Sequence, residues 1–135
     1  MPSPNTPQSQ AMNHDDTQPS ALEKALSAHA GALYFISRHA GAIEWARRRP
    51  WGARAEFIAH LDAHRVAPGD IVIGTLPVHL AEQVCARRGR YIHLLINQSE
   101  NSRGRELTAD DLEAAGACLA PYKVTREQDI TQKRE

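Results

Sequence analysis

The sequence predicts an α/β domain built on a mostly parallel sheet, and three features carry that expectation. Short continuous apolar runs, "ALYFIS" (32–37), "IVIGTLP" (71–77) and "YIHLLIN" (91–97), read as strands buried on both faces. Segments with helical spacing lie between them, as in "PVHLAEQVCARRG", where Leu80, Ala81, Val84 and Cys85 form one stripe. Glycine and proline punctuate each change of period, at Pro50, at "APGD" and at Pro77.

The elements follow in order. Residues 1–19 hold four of the eight prolines and few large apolar side chains. They cannot bury enough surface to offset their ordering entropy and read as a disordered tail. Residues 20–31 can form a short helix, with Ser20 as N-cap and Gly31 past its end, docked loosely through Leu22 and Leu26. The α/β domain spans 32–127. Its first strand, 32–37, leads into a helix over 41–49 that Pro50 stops. A second strand is expected over 55–62 and a third over 71–77. Pro77 suits a first helical position, and the helix it opens ends at Arg87 and Arg88 before Gly89. After the fourth strand, 91–97, comes the polar loop "QSENSRGREL". Thr108 and Asp111 form a capping box for a helix over 108–120. A last strand is expected over 122–127, and 128–135 form a C-terminal tail. Between the second and third strands only about eight residues remain, fewer than the dozen or so of a helical crossover. The direction of the second strand is therefore open. The sum is a small Rossmann-like, three-layer domain with about five strands.

Composition excludes several classes. Sixteen basic and sixteen acidic residues balance, which argues against broad binding to long nucleic acid but permits a small anion in one pocket. No stretch approaches the apolar length of a membrane span or of a secretory signal. Two cysteines, Cys85 and Cys118, fall in apolar helical patterns and read as small core residues. No disulfide framework or four-cysteine zinc site is possible, and a reduced, cytoplasmic protein is the simplest expectation.

In an open parallel sheet, ligands collect beyond the carboxyl ends of the strands. Those ends carry Ser37, Arg38 and His39, then His60 to Asp62, then Gly74, Thr75, Leu76 and Pro77, and Asn97, with Arg103 and Arg105 in the loop beyond. Two helix N-termini and the arginines attract phosphate, and Gly74 lets a ligand approach the backbone. No metal or other cofactor is required. His60 and His64 have i, i+4 spacing, but that spacing joins ligands only on a helix. His93 reads as a packed, hydrogen-bonded histidine, and Trp45 and Trp51 as core or interface anchors. Arg47 to Arg49 read as a solvated helix face.

"FISRHAGAIEW", "AHLD", "PGDIVIGTLPVHLAEQVCARRGRYIHL" and "RGRELTADDLEAAGA", in this order over about residues 33–124, resemble a small CRISPR-associated family of type III systems. The sequence departs from it in the 31 residues ahead of the first strand and at Ala40, where many members carry proline. The resemblance implies a CARF-like fold and a ring nuclease that cleaves cyclic oligoadenylate, chiefly cyclic tetra-adenylate. It implies a homodimer with the ligand across its two-fold axis. Cleavage would be metal-independent, the ribose 2′-hydroxyl attacking phosphorus to leave di-adenylate with a 2′,3′-cyclic phosphate. Arg38 would stabilise the phosphorane and His39 transfer a proton, with Ser37, Gly41, Gly74, Thr75, Leu76, Asn97 and Arg103 holding the ligand. A sponge or sensor that binds without cutting is the alternative. "SRHAGAIE" is also similar to the Arg-His-Gly-Glu strand end of histidine phosphatases, in which His39 would take the phosphoryl group.

Overall fold

The computed structural model describes residues 20–96 and 106–127. In chain order it forms α1 (Ala21–Ser27), β1 (Leu33–Ile36), α2 (Ala40–Arg47), β2 (Glu56–Ile58), β3 (Ile71–Gly74), α3 (Val78–Ala86), β4 (Arg90–Leu95), α4 (Ala109–Ala114) and β5 (Cys118–Tyr122). Two 3₁₀ turns, Gly52–Arg54 and Ala63–Arg65, flank β2. The sheet order is β2-β1-β3-β4-β5. β1 pairs in parallel with β2 and β3, β3 pairs in parallel with β4, and β5 runs antiparallel to β4. The α/β class and the mostly parallel five-stranded sheet expected from sequence are therefore present. Among the described residues no helix is long and apolar enough to cross a membrane.

Alternation along the strands splits the core in two. Leu33, Phe35, Ile71, Ile73, Ile92 and Leu94 face one side, where they meet Leu26 of α1, Trp45 and Ala46 of α2, and Leu112 of α4. Tyr34, Ile36, Val72 and Tyr91 face the other, against Ala81 and Val84 of α3 and Val66 of the β2–β3 connection. The result is three layers with both sheet faces covered, as parallel pairing requires.

The open strand direction is resolved as parallel. β2 is only three residues long, so residues 59–70 are free to cross over β1, with Ala63–Arg65 packed on the α3 face. Asp62 starts that turn by accepting the His64 N–H at 3.1 Å, and this bond lowers its carboxyl pKa. The last strand is not 122–127 but Cys118–Tyr122. Gly116, at φ +76°, ends α4 early, and the chain after it pairs Leu119 with Leu94. Cys118 thus lies exposed on an edge strand instead of in a helical core, while Cys85 is half-buried on α3.

α1 is held more firmly than its thin apolar stripe suggests. Ser20 caps it by accepting the Glu23 N–H at 3.1 Å. Glu23 is itself buried and accepts two hydrogen bonds from Arg49, at 2.8 and 2.9 Å, and one from the indole of Trp51 at 3.3 Å. Arg49 also lies 3.7 Å from Glu113 of α4. The run Arg47 to Arg49 is therefore not simply a solvated face: Arg49 ties three helices together over the Trp45–Trp51 pair. Truncating one partner leaves the others desolvated and unpaired. Glu23→Ala should lower the unfolding free energy by about 1–3 kcal/mol in urea titrations. Unchanged stability would mean that α1 docks without this clamp.

Candidate functional site

β1 and β3 are neighbours, yet α2 leaves β1 toward one face and α3 leaves β3 toward the other. Loops that part in this way open a crevice at the carboxyl ends of the two strands. The crevice is present as a cleft of about 410 Å³. Ser37, Arg38 and His39 line it from β1, Gly74, Thr75 and Leu76 from β3, and His60 from the end of β2. Its floor is apolar, formed by Phe35, Ile36, Leu80 and Leu94.

The two loops touch in their first residues. A Cβ on Gly74, where φ is +157°, would stand 2.7 Å from the Ile36 carbonyl, so only glycine lets the strand ends approach this closely. Beyond β1, the Ser37 N–H donates to the Ile58 carbonyl at 3.1 Å and its hydroxyl accepts the His39 N–H at 3.1 Å. Neither His39 nor Pro77 caps its helix with a side chain. The first-turn N–H groups of α2 and α3 thus open on the same end of the sheet, a favourable setting for an anion.

Arg38 is exposed and makes no hydrogen bond or ion pair among the described residues. His39 is also exposed, and its Nδ1 lies 3.3 Å from a carboxylate oxygen of Glu106. A carboxylate on Nδ1 favours the tautomer that leaves Nε2 free to exchange a proton. Glu106 was not singled out from sequence. Its place at the end of a polar loop, next to Leu107 and the α4 cap, gave no local sign of a partner so distant in the chain.

Tyr91 on β4 holds the β3 loop from below. The Leu76 N–H donates to its hydroxyl at 3.0 Å, and the hydroxyl donates to the Gly74 carbonyl at 3.1 Å. Nδ1 of His93 lies 2.6 Å from the same oxygen. A hydroxyl has one proton, so when Gly74 receives it the contact with His93 is met by the tautomer that carries its proton on Nδ1. His93 also packs edge-on between Tyr91 and Tyr122, which agrees with its reading as a packed histidine.

Other expected residues fall elsewhere. Gly41 is buried, and a Cβ there would collide with the Leu107 carbonyl, so this glycine lets the segment before α4 close over α2 instead of lining the cleft. Asn97, Arg103 and Arg105 lie outside the described residues. His64 pairs with Asp62 at 3.4 Å and stands exposed. Among the described residues no three His, Cys, Asp or Glu side chains group so as to hold a metal ion. Trp45 and Trp51 are core residues.

Burial raises the Tyr91 phenol above the usual tyrosine value of about 10, opposed by the Leu76 N–H bond. A folded-state pKa above the unfolded one contributes stability that is fully present below about pH 10 and is lost as pH rises through the folded value. Stability should therefore fall above about pH 10, and Tyr91→Phe should flatten that part of the profile. At neutral pH the same variant should cost about 1–3 kcal/mol and speed hydrogen exchange at the Leu76 amide. Unchanged exchange at Leu76 would refute the pinning of this loop.

A family model described as "Putative CRISPR-associated protein (Cas_VVA1548)" matches residues 34–125, which include the five strands apart from Leu33 and all of the cleft's lining. No curated protein and no solved structure matches the chain. The match covers well over half of the sequence, and the chain belongs to this CRISPR-associated family.

Proposed function

We propose that the cleft binds cyclic oligoadenylate, chiefly cyclic tetra-adenylate, and cleaves it. The observation that carries this reading is the meeting, at one topological switch point, of an arginine without a partner among the described residues, a carboxylate-paired histidine and two helix N-termini whose N-cap residues make no side-chain cap. Each favours a phosphodiester, and together they occupy the place where open parallel sheets hold nucleotides. The membership in a CRISPR-associated family agrees with a messenger of that defence system.

The reaction is an internal transesterification. The ribose 2′-oxygen forms a bond to the adjacent phosphorus, the bond from phosphorus to the 5′-oxygen breaks, and a 2′,3′-cyclic phosphate remains. The 2′-hydroxyl proton goes to a base and the departing 5′-oxygen receives one. His39, oriented by Glu106, serves this exchange through Nε2. Arg38 and the amide of Thr75, in the loop after β3, stabilise charge on the phosphorane. Holding the 2′-oxygen in line with the leaving oxygen supplies up to about 7–11 kcal/mol. A homodimer presents the same cleft to the two equivalent halves of the ring, which lies across the two-fold axis.

The test is incubation with cyclic tetra-adenylate, with and without EDTA, followed by chromatography and mass spectrometry. The expected product is di-adenylate ending in a 2′,3′-cyclic phosphate, undiminished by EDTA. Arg38→Ala and His39→Ala should each slow single-turnover cleavage by about 10²-fold or more, and Glu106→Gln less than His39→Ala. Intact ring recovered from a tight complex would make the protein a sponge or sensor, and unchanged rates in both alanine variants would remove these roles.

A further inference from the structure

At the opposite end of the sheet, a second cleft of about 480 Å³ opens between the start of β4 and the end of β5. Arg88, Arg90, Lys123 and Tyr122 line it, and no Asp or Glu does. Among the described residues none of these three cations makes an ion pair or a side-chain hydrogen bond. Elsewhere Arg48, Arg49 and Arg65 face carboxylates, and Arg87 donates to the Val66 and His64 carbonyls. Three like charges around one concavity repel each other, and an anion between them relieves that repulsion.

The backbone that carries these side chains is held in place. Arg88 sits at φ +68°, a conformation that a non-glycine residue rarely adopts. It is kept there by its N–H on the Cys85 carbonyl at 2.9 Å and by the Gly69 N–H on its own carbonyl at 3.0 Å. The Arg90 N–H donates to the Asp70 carbonyl at 2.8 Å. On the facing strand, the Cys85 sulfur accepts the Val124 N–H at 3.4 Å and lies 4.0 Å from the Tyr122 carbonyl, bracketing Lys123. Tyr122 is half exposed, with His93 edge-on to its ring at 5.6 Å. A cation at a helix C-terminus is favourable by itself, which accounts for Arg88 alone. It does not account for Arg90 or Lys123, which belong to strand ends.

We propose that this cleft is a second ligand site, distinct from the candidate active site, for a nucleoside phosphate. The phosphate is held by Arg88, Arg90 and Lys123, and the base stacks on Tyr122. The proposal does not depend on the ring nuclease reading, because it uses none of the residues at the other end of the sheet.

The experiment is an amide-resolved NMR titration of the full chain with adenosine 5′-monophosphate, inorganic phosphate and adenosine. The nucleotide should move the amides of residues 88–91 and 122–124, more tightly than phosphate, and with an affinity that falls as salt rises. Arg90→Glu combined with Lys123→Glu should weaken it about tenfold or more, and Tyr122→Ala should reduce it to the level of phosphate. These side chains are exposed, and the spectrum of each variant reports whether it is folded. Shifts confined to residues 37–41 and 74–78, no shifts, or full affinity in the charge-reversed variant would overturn the proposal. A nucleotide preference that survives in Tyr122→Ala would overturn the stacking.

Discussion

Two parallel strands side by side, with helices leaving them toward opposite faces, set the plan of this domain. α2 must pass to the Trp45 side to cover Phe35 and Ile73, and α3 to the Val84 side to cover Tyr34 and Val72. The loops after β1 and β3 therefore separate just where the strands end, and the floor between them is made of side chains that already belong to the core. A cleft in this place is a consequence of covering both faces of a parallel sheet, not an addition to it. The close approach of Gly74 to Ile36 keeps the two loops in register at the base, so that they diverge only above it.

Rigid support for the cleft comes from the strand next to β3. Tyr91 lies on β4, one strand away, and its hydroxyl meets both the donor of Leu76 and the acceptor of Gly74. His93 completes the shell from two residues further along. A buried hydroxyl with all its hydrogen-bonding capacity used is stable where a partly used one is costly. The loop geometry is thus set by side chains that never reach the cleft. On the other face, the Glu23 carboxylate plays a similar part, joining α1, the end of α2 and Trp51.

Much of this was legible from residue order. Apolar runs placed β1, β3 and β4, and the punctuation at Pro50, Pro77 and Gly89 placed α2 and α3. The same reading put Ser37–His39 and Gly74–Leu76 on one rim, because strand ends in a parallel sheet share an end. What escaped depended on contacts far apart in sequence. Glu106 meets His39 only because α4 packs beside α2, with Gly41 against Leu107. β5 was misplaced because "CLAPY" is short, holds a proline and continues a helical pattern, so only pairing with β4 identifies it as a strand. The strand at 55–62 was read too long, since His60 and Leu61 extend its apolar run without a neighbour to pair with.

Net neutrality conceals how the charge is arranged. Several arginines near α2 and α3 are engaged within the fold: Arg48 and Arg49 by carboxylates, Arg87 by two carbonyls that fasten the β2–β3 connection to α3. The pairings with carboxylates cancel charge locally and contribute little field at a distance. Cations left without partners have a larger effect than their number suggests. Among the described residues Arg38 stands without one at the carboxyl ends of β1 and β3, and Arg88, Arg90 and Lys123 at the start of β4. A chain of zero formal charge thereby keeps cations without partners among the described residues at both ends of its sheet, where these two clefts open. The same balance that disfavours a long polyanion along the surface is compatible with small anions held at two separate points.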